Sequence, residues 1–262
     1  MNRTVVVSCN AHDNYLFFLP LVSWAWRKLG WDVFFILICD DINDKVKHVL
    51  THCNCKYEVI TSHIEGIRSE TLSQVARLYA ANLTDDEYFM TSDADMIPLS
   101  GCWKPSKNFT SWGHDLTGYQ HFPICYLGGS RDKWKELLNL SGDFYMDIQR
   151  DIANHPFNKS LEPSQLWVTD QEFITEKLKD FPHETIDRNP YGYFPLPIGR
   201  VDRYSWDATL LQKERIDAHL LRPGYTYFNF TKIMDLIKEC FEISKQEEQF
   251  LMDYKNEYIT FV

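Results

Sequence analysis

Asp93 and Asp95 stand two residues apart at the end of an apolar run, Tyr88-Phe89-Met90-Thr91-Ser92, that reads as a buried strand. Carboxylates in such a place cost roughly several kcal/mol each unless something neutralises them. A hard divalent cation does so. Oxygen ligands from one or two carboxylates plus a substrate's phosphates suit magnesium or manganese. The plainer use of an Asp pair is to cap a turn, but a position directly after a hydrophobic strand favours the metal. A second acidic group, Thr169-Asp170-Gln171-Glu172, has the form of a capping box, with Glu172 at the third helical position and Asp170 at the positive helix end. A helix start that opens into a cleft also turns such acids toward a ligand.

These side chains need a scaffold, and the first hundred residues supply a regular one. Thr4 to Cys9 is a β-branched strand ending in the polar turn Asn10 to Asn14. A long helix follows to about Leu29, capped by Asp13 or Asn14, kinked at Pro20 and stopped by Gly30. Trp31 to Cys39 is too continuously apolar to have a wet face. Asn43 caps a short helix through Leu50, and Tyr57 to Thr61 is a third strand. Ser69 opens a helix with Leu72, Val75, Ala76 and Tyr79 on one face, leading into the strand before Asp93. Strands alternating with helices predict an α/β fold with a mostly parallel, doubly covered sheet that binds ligands outside the carboxyl ends of its strands. Asn10, Asp13, Asp40 and the Asp93/Asp95 pair all fall at such ends.

Beyond residue 100 the alternation fails. Asp115 to Tyr119 and Ile124 to Leu127 read as strands, and Gly128-Gly129 leads into a helix from Ser130 to Leu140. Residues 141–165 carry few strong patterns. Thr169 to Phe181 reads as a helix and Pro182 to Tyr204 as a loop. From Thr231 one or two amphipathic helices carry Met234, Ile237 and Phe241 on one side. The expected organisation is one domain over 1–262: a nucleotide half (1–100), an acceptor half (101–230), and C-terminal helices (231–262).

A net charge of -10 in 262 residues argues against a general nucleic-acid binder, which needs a basic stripe. It leaves room for a phosphorylated small substrate, since a cation and a few arginines reverse the sign locally. Aromatic residues make up 15% of the chain and fit either a sugar-binding cleft or an aromatic core. The seven cysteines lack a metal or disulfide framework and read as free thiols. No signal peptide or membrane span is visible, so a cytoplasmic protein is expected and the six Asn-x-Ser/Thr matches read as chance.

Taken in order, these features resemble the GT-A family of glycosyltransferases, which use a nucleotide-sugar donor. The likeness runs over scattered motifs from Val5 to about Gly224 and is closest to the retaining glycogenin-like and bacterial galactosyltransferase-like enzymes. A fainter likeness is to glycosyltransferases of large algal viruses. The family's arginine on the helix before the Asp-x-Asp strand is matched by Arg77, and its small-residue segment entering a helix by Tyr126-Leu127-Gly128-Gly129. Its Asp-Gln-Asp element is matched by Asp170-Gln171-Glu172, with Glu in place of Asp. Its metal-binding His before Lys-Pro-Trp is matched by His219-Leu220-Leu221-Arg222-Pro223-Gly224, with Arg in place of Lys and Gly in place of Trp.

The resemblance implies a manganese or magnesium ion held by Asp93, Asp95 and His219. It implies a UDP-sugar donor met by Cys9, Asn10, Asp13, Asp40, Arg77, Ser92, Asp93, Gly128, Gly129 and Arg222, with Asp170, Gln171 and Glu172 near the reacting sugar. Asp217 is the expected carboxylate behind His219. Arg200 and Arg203 can close over the diphosphate or only solvate their loop, and Trp167 and Trp206 can stack on sugar or fill the core. The acceptor is then a glycan or glycoprotein, and transfer proceeds with retention. Alternatives are inversion with Asp170 or Glu172 as base, a sugar-1-phosphate nucleotidyltransferase, or a non-catalytic carbohydrate-binding protein.

Overall fold

The computed structural model describes residues 2–112, 121–186, 199–210 and 215–262. Its strands are β1 (Arg3–Asn10), β2 (Asp32–Ile38), β3 (Lys56–Ile60), β4 (Tyr88–Ser92), β5 (Met96–Pro98), β6 (Phe109–Trp112), β7 (Leu127–Ser130), β8 (His183–Ile186), β9 (Arg200–Val201) and β10 (Asp217–His219). Its helices are α1 (Asp13–Leu16), α2 (Leu19–Lys28), α3 (Asp44–Cys53), α4 (Ser69–Val75), α5 (Arg131–Leu138), α6 (Phe144–Ile152), α7 (Pro163–Trp167), α8 (Thr169–Leu178), α9 (Trp206–Thr209), α10 (Tyr227–Cys240) and α11 (Lys245–Tyr258).

Among the described residues a seven-stranded sheet runs β3-β2-β1-β4-β7-β6-β8. The first four strands are parallel, and β7 is antiparallel to both β4 and β6. This is the mostly parallel, doubly covered sheet that the alternating pattern predicted. Val5, Val7, Phe35 and Leu37 face α2, α3, α10 and α11, whereas Val6, Phe34 and Ile36 face α4, α5, α6 and α8. Such two-sided burial leaves no polar face on β1 or β2, which explains their unbroken apolar runs. A smaller sheet, β5-β10-β9, begins directly after Asp95.

Several local expectations give way to context. The long first helix is two: α1 is capped by His12, whose Nδ1 accepts from the Asn14 N–H at 3.1 Å, and Pro20 opens α2 rather than bending a continuous helix. Pro has no N–H to give and suits a first turn, where that hydrogen is unpaired anyway. Ile124 to Tyr126 forms a 3-10 turn, and the strand starts only at Leu127. The capping box at 169–172 does not form, because α7 runs almost directly into α8. Thr169 instead donates back to the Leu166 carbonyl at 3.0 Å. The patternless stretch 141–165 holds α6, which Asp143 caps and which buries Phe144, Ile148 and Ile152 at four-residue spacing. The Pro182 to Tyr204 loop contains β8 and β9, and the expected strand Asp115 to Tyr119 lies outside the described residues.

Most of the aromatic excess is core. Trp26, Trp31, Trp103 and Tyr126 are all buried and pack ring against ring. None of the seven cysteines is in a disulfide. Among the described residues no helix is long and apolar enough to cross a membrane.

Candidate active site

The site forms where β1 and β4 end. Parallel pairing sets Val7 beside Ser92, so the residues following both strands open into one cleft. The cleft, of about 320 Å³, is lined by Cys9, Asn10, Tyr15, Arg77, Asp93, Asp95, Trp167, Asp170, Gln171, His219 and Arg222, with Glu70, Ser73 and Gln74 from α4.

Two charged clusters make up its floor. In the first, Arg77, on the 3-10 helix Ala76–Asn82 that extends α4, bridges two acids. Its Nη1 donates to the Ser92 carbonyl at 2.7 Å and to Asp93, and its Nη2 donates to Asp170 at 3.2 Å. The guanidinium and Asp170 are almost fully buried, at 6% and 3% exposure. Burial alone raises both carboxyl pKa values, and Arg77 opposes it. For Asp93 the guanidinium prevails and the pKa is lowered. For Asp170 burial prevails, with Asp93 adding to it, and the pKa is pushed up to about 6.

The second cluster surrounds Asp95. Its Oδ2 accepts from Arg203 at 2.5 Å and from Arg222, and lies 3.2 Å from Nε2 of His219. Register accounts for the meeting. Strand β10 pairs antiparallel with β5 so that His219 lies opposite Met96, and the Leu220 N–H donates to the Asp95 carbonyl at 2.8 Å. On the other side of β10, parallel pairing with β9 sets Asp217 beside Arg200, which it binds through both oxygens at 2.9 and 3.0 Å. The carboxylate behind His219 is therefore not the expected Asp217 but Asp202, whose Oδ2 lies 3.3 Å from Nδ1 of the ring. Burial works to raise the Asp202 pKa, but His219 and the Tyr204 N–H outweigh it and the pKa is lowered. Arg222 is steadied from below, its guanidinium carbon 4.2 Å from the centre of the Tyr15 ring.

No family model and no curated protein matches this sequence. Among solved structures, the galactosyltransferase LgtC in complex with donor and acceptor sugar analogues superposes with a TM-score of 0.51. The pair is 12% identical, and the match covers 94% of this chain and 99% of that one. An active-site glutamine-to-glutamate mutant of LgtC gives 0.50 at 11% identity with the same coverage. The glycosyltransferase GlyE of Streptococcus pneumoniae TIGR4, also 12% identical, gives 0.46, with 99% of this chain and 64% of that one covered, too low to add weight. The chain has the GT-A fold. Identity this low speaks for the fold alone.

Within the GT-A cleft the structure gathers Cys9, Asn10, Arg77, Asp93, Asp95, Asp170, Gln171, His219 and Arg222. Other expected residues serve elsewhere. Asp13 is taken up by Lys45 at 2.7 Å and the Tyr258 hydroxyl at 2.6 Å, tying α1 to α3 and α11. Asp40 accepts from the Thr61 hydroxyl and the Ser62 N–H, both at 2.8 Å, closing the β2–β3 edge. Ser92 offers its carbonyl to Arg77 from a buried position. Gly128 and Gly129 are packing residues. A Cβ at Gly128 would fall 2.7 Å from Trp112 and Tyr88, and one at Gly129 2.7 Å from Phe109. Glu172 turns to His121 and does not line the cleft. Trp167 lines the cleft, largely exposed, while Trp206 is core.

Tyr15, Asp202 and the cleft-facing residues of α4 were not anticipated. Their sequence signal was position: Tyr15 lies on α1, the short helix that follows β1, and Asp202 directly follows β9.

Proposed function

We propose that this chain is a metal-dependent glycosyltransferase. It moves a sugar from a nucleotide-sugar donor of the UDP-sugar class to a glycan or glycoprotein acceptor, with retention of configuration. The observation that carries this reading is the convergence of Asp95, His219, Arg203 and Arg222 on the floor of the GT-A cleft. One carboxylate faced by an imidazole and two guanidiniums suits the junction of a divalent cation and a diphosphate.

The donor set fits manganese or magnesium. Nδ1 of His219 lies 3.3 Å from both Asp202 Oδ2 and Nε of Arg203; in the tautomer that carries its hydrogen toward Asp202, Nε2 is left toward Asp95 at 3.2 Å. Ligand atoms about 2.1 Å from an octahedral ion stand roughly 3 Å apart. Asp95 and His219 would hold the ion; Asp93, the expected third ligand, is bound by Arg77 and does not join them in a group of ligand atoms within 4.8 Å of one another. When bound, it offsets the charge that grows on the departing diphosphate.

The chain's own residues supply the rest. Arg203 and Arg222 stand ready to exchange Asp95 for phosphate oxygens, and Tyr15 keeps the Arg222 plane in place. The Nε atoms of Arg77 and Arg222 are buried without a hydrogen-bond partner, so each retains a donor for a ligand. Trp167 offers a ring face to a sugar. Asp170 and Gln171 flank the space beside Arg77, where the anomeric carbon would lie. The bond from that carbon to the diphosphate breaks, the acceptor oxygen takes its place on the same face, and the acceptor's proton leaves with the diphosphate. The active-site glutamine of LgtC is in keeping with Gln171 at this position.

Inversion is the second reading, and the raised pKa of Asp170 favours it. A carboxylate with a pKa of about 6 is a competent general base near neutrality. Glu172, engaged with His121, has no part in either route.

Calorimetry with UDP, with and without manganese, tests the proposal. Metal-dependent binding that Asp95→Ala abolishes is expected. Metal-independent binding, a preference for nucleoside triphosphates or no binding at all would overturn it. A donor-hydrolysis screen then names the sugar, and the anomeric proton of the product separates the two stereochemical routes.

A further inference from the structure

On the face of the sheet away from the cleft, α3 carries His48 and His52 one helical turn apart, and α11 brings Glu257 across to both. Among the described residues this is the one group of three His, Cys, Asp or Glu side chains whose ligand atoms all lie within 4.8 Å of one another. We propose that His48, His52 and Glu257 form a second, structural metal site of the zinc class that clips α11 onto α3.

The distances are close to those a metal imposes. Glu257 Oε2 lies 3.6 Å from His48 Nδ1 and 3.8 Å from His52 Nε2. Atoms about 2.0–2.1 Å from zinc stand roughly 3.3–3.4 Å apart along a tetrahedral edge, so the two Glu257 edges need to close by only a few tenths of an ångström, and the edge between the two rings is within 4.8 Å. The ring of His52 is already oriented. Its Nδ1 is 2.8 Å from the His48 carbonyl oxygen and carries the hydrogen, leaving the Nε2 lone pair toward Glu257. A histidine bound to metal has the same arrangement, with its second nitrogen donating to a backbone carbonyl.

The surroundings hold the ligands in place. Tyr254 stacks on His48 with centroids 5.5 Å apart, Phe250 packs on His52 and Phe261 on His48. Glu257 is more than half exposed, which leaves the fourth corner open to water. A plain ion pair explains the cluster less well. Separations of 3.6 and 3.8 Å are well beyond the roughly 2.7–2.9 Å of a hydrogen-bonded ion pair. Two imidazoles and one carboxylate also favour zinc over the manganese or magnesium suited to the cleft.

The clip has something to hold. One turn from Glu257, the Tyr254 hydroxyl donates to the Phe17 carbonyl at 2.9 Å, and the adjacent Tyr258 donates to Asp13 at 2.6 Å. Both contacts fix α1 and its exit, and α1 carries the Tyr15 ring beneath Arg222.

The test uses the full chain, stripped with a chelator, carrying Asp95→Ala and His219→Ala to remove the cleft's own ligands. Zinc titrated by calorimetry should bind at one equivalent, and cobalt in its place should give a tetrahedral absorption band. Saturating zinc should raise the melting midpoint. Adding His52→Ala should weaken zinc binding by at least about tenfold and remove the midpoint shift. If the cleft variant does not fold, Glu257→Gln alone should lower the zinc stoichiometry of the otherwise native chain by one. No zinc bound in the cleft variant, or zinc bound unchanged after His52→Ala or Glu257→Gln, would overturn the site. Neither result bears on UDP binding in manganese, so the clip and the transferase reading fail separately.

Discussion

Replacing Asp170 with Asn should make the protein more stable while disabling it. The carboxyl is 3% exposed, and its pKa is raised from 3.8 to about 6 by burial and by Asp93, against the pull of Arg77. A rise of about two units corresponds to roughly 3 kcal/mol of penalty on the ionised form in the folded state. As pH rises from about 4 to 6, the unfolded chain gives up this proton while the folded chain keeps it. Wild-type stability therefore falls through that window, and the full penalty stands by about pH 7. Asn is neutral throughout and close to protonated Asp in shape. Asp170→Asn is expected to gain up to about 3 kcal/mol over wild type near pH 7, with the gain vanishing near pH 4. Denaturant unfolding of the two proteins at both pH values measures it, and the shared titration of every other group cancels in the difference. Turnover of the donor should fall by about 100-fold or more, whether Asp170 flanks the sugar or acts as base. A cooperative Asp170→Asn protein that is no more stable than wild type near pH 7 would refute the reasoning, because the carboxylate would then carry no net penalty.

Three further outcomes follow from the same geometry. Arg77→Met strands Asp93 and Asp170 in the interior and should cost about 3–5 kcal/mol. Adding Asp170→Asn should recover part of that loss, and strictly additive changes in melting would contradict a shared cluster. Asp202→Asn should weaken manganese-dependent UDP binding by about 10- to 100-fold with little change in melting; unchanged affinity would remove Asp202 from its role behind His219. Gly224→Ala drives a methyl into the buried Phe18 ring and should cost about 1–3 kcal/mol, eased by Phe18→Leu. A melting midpoint that does not move would show that this contact relaxes freely.

Features set by neighbours in the chain were legible from the sequence. Strands β1, β2 and β4 announced themselves by apolar runs, and α3 by Asn43 as its cap. Position at a strand end pointed to Asn10, Asp93 and Asp95, because a parallel sheet opens its ligand site there whatever the loops do. Helix α6 was equally local, with an Asp cap and a four-residue apolar spacing, and was passed over only because polar residues dominate its segment.

Partners set by register were not legible. Asp217 is two residues from His219 along one strand, about 6–7 Å away, whereas the neighbouring strand is only about 4.8 Å off. The pairing of β10 with β9 therefore gives Asp217 to Arg200 and leaves His219 to Asp202. The same holds for Arg203 on Asp95 and for Glu257 facing His48 and His52, which join positions far apart in the chain. The sequence determined which residues are acids, bases and caps and the order of most of the elements that carry them. Which acid meets which cation depended on cross-strand spacing and helix packing, and those exist only once the chain has folded.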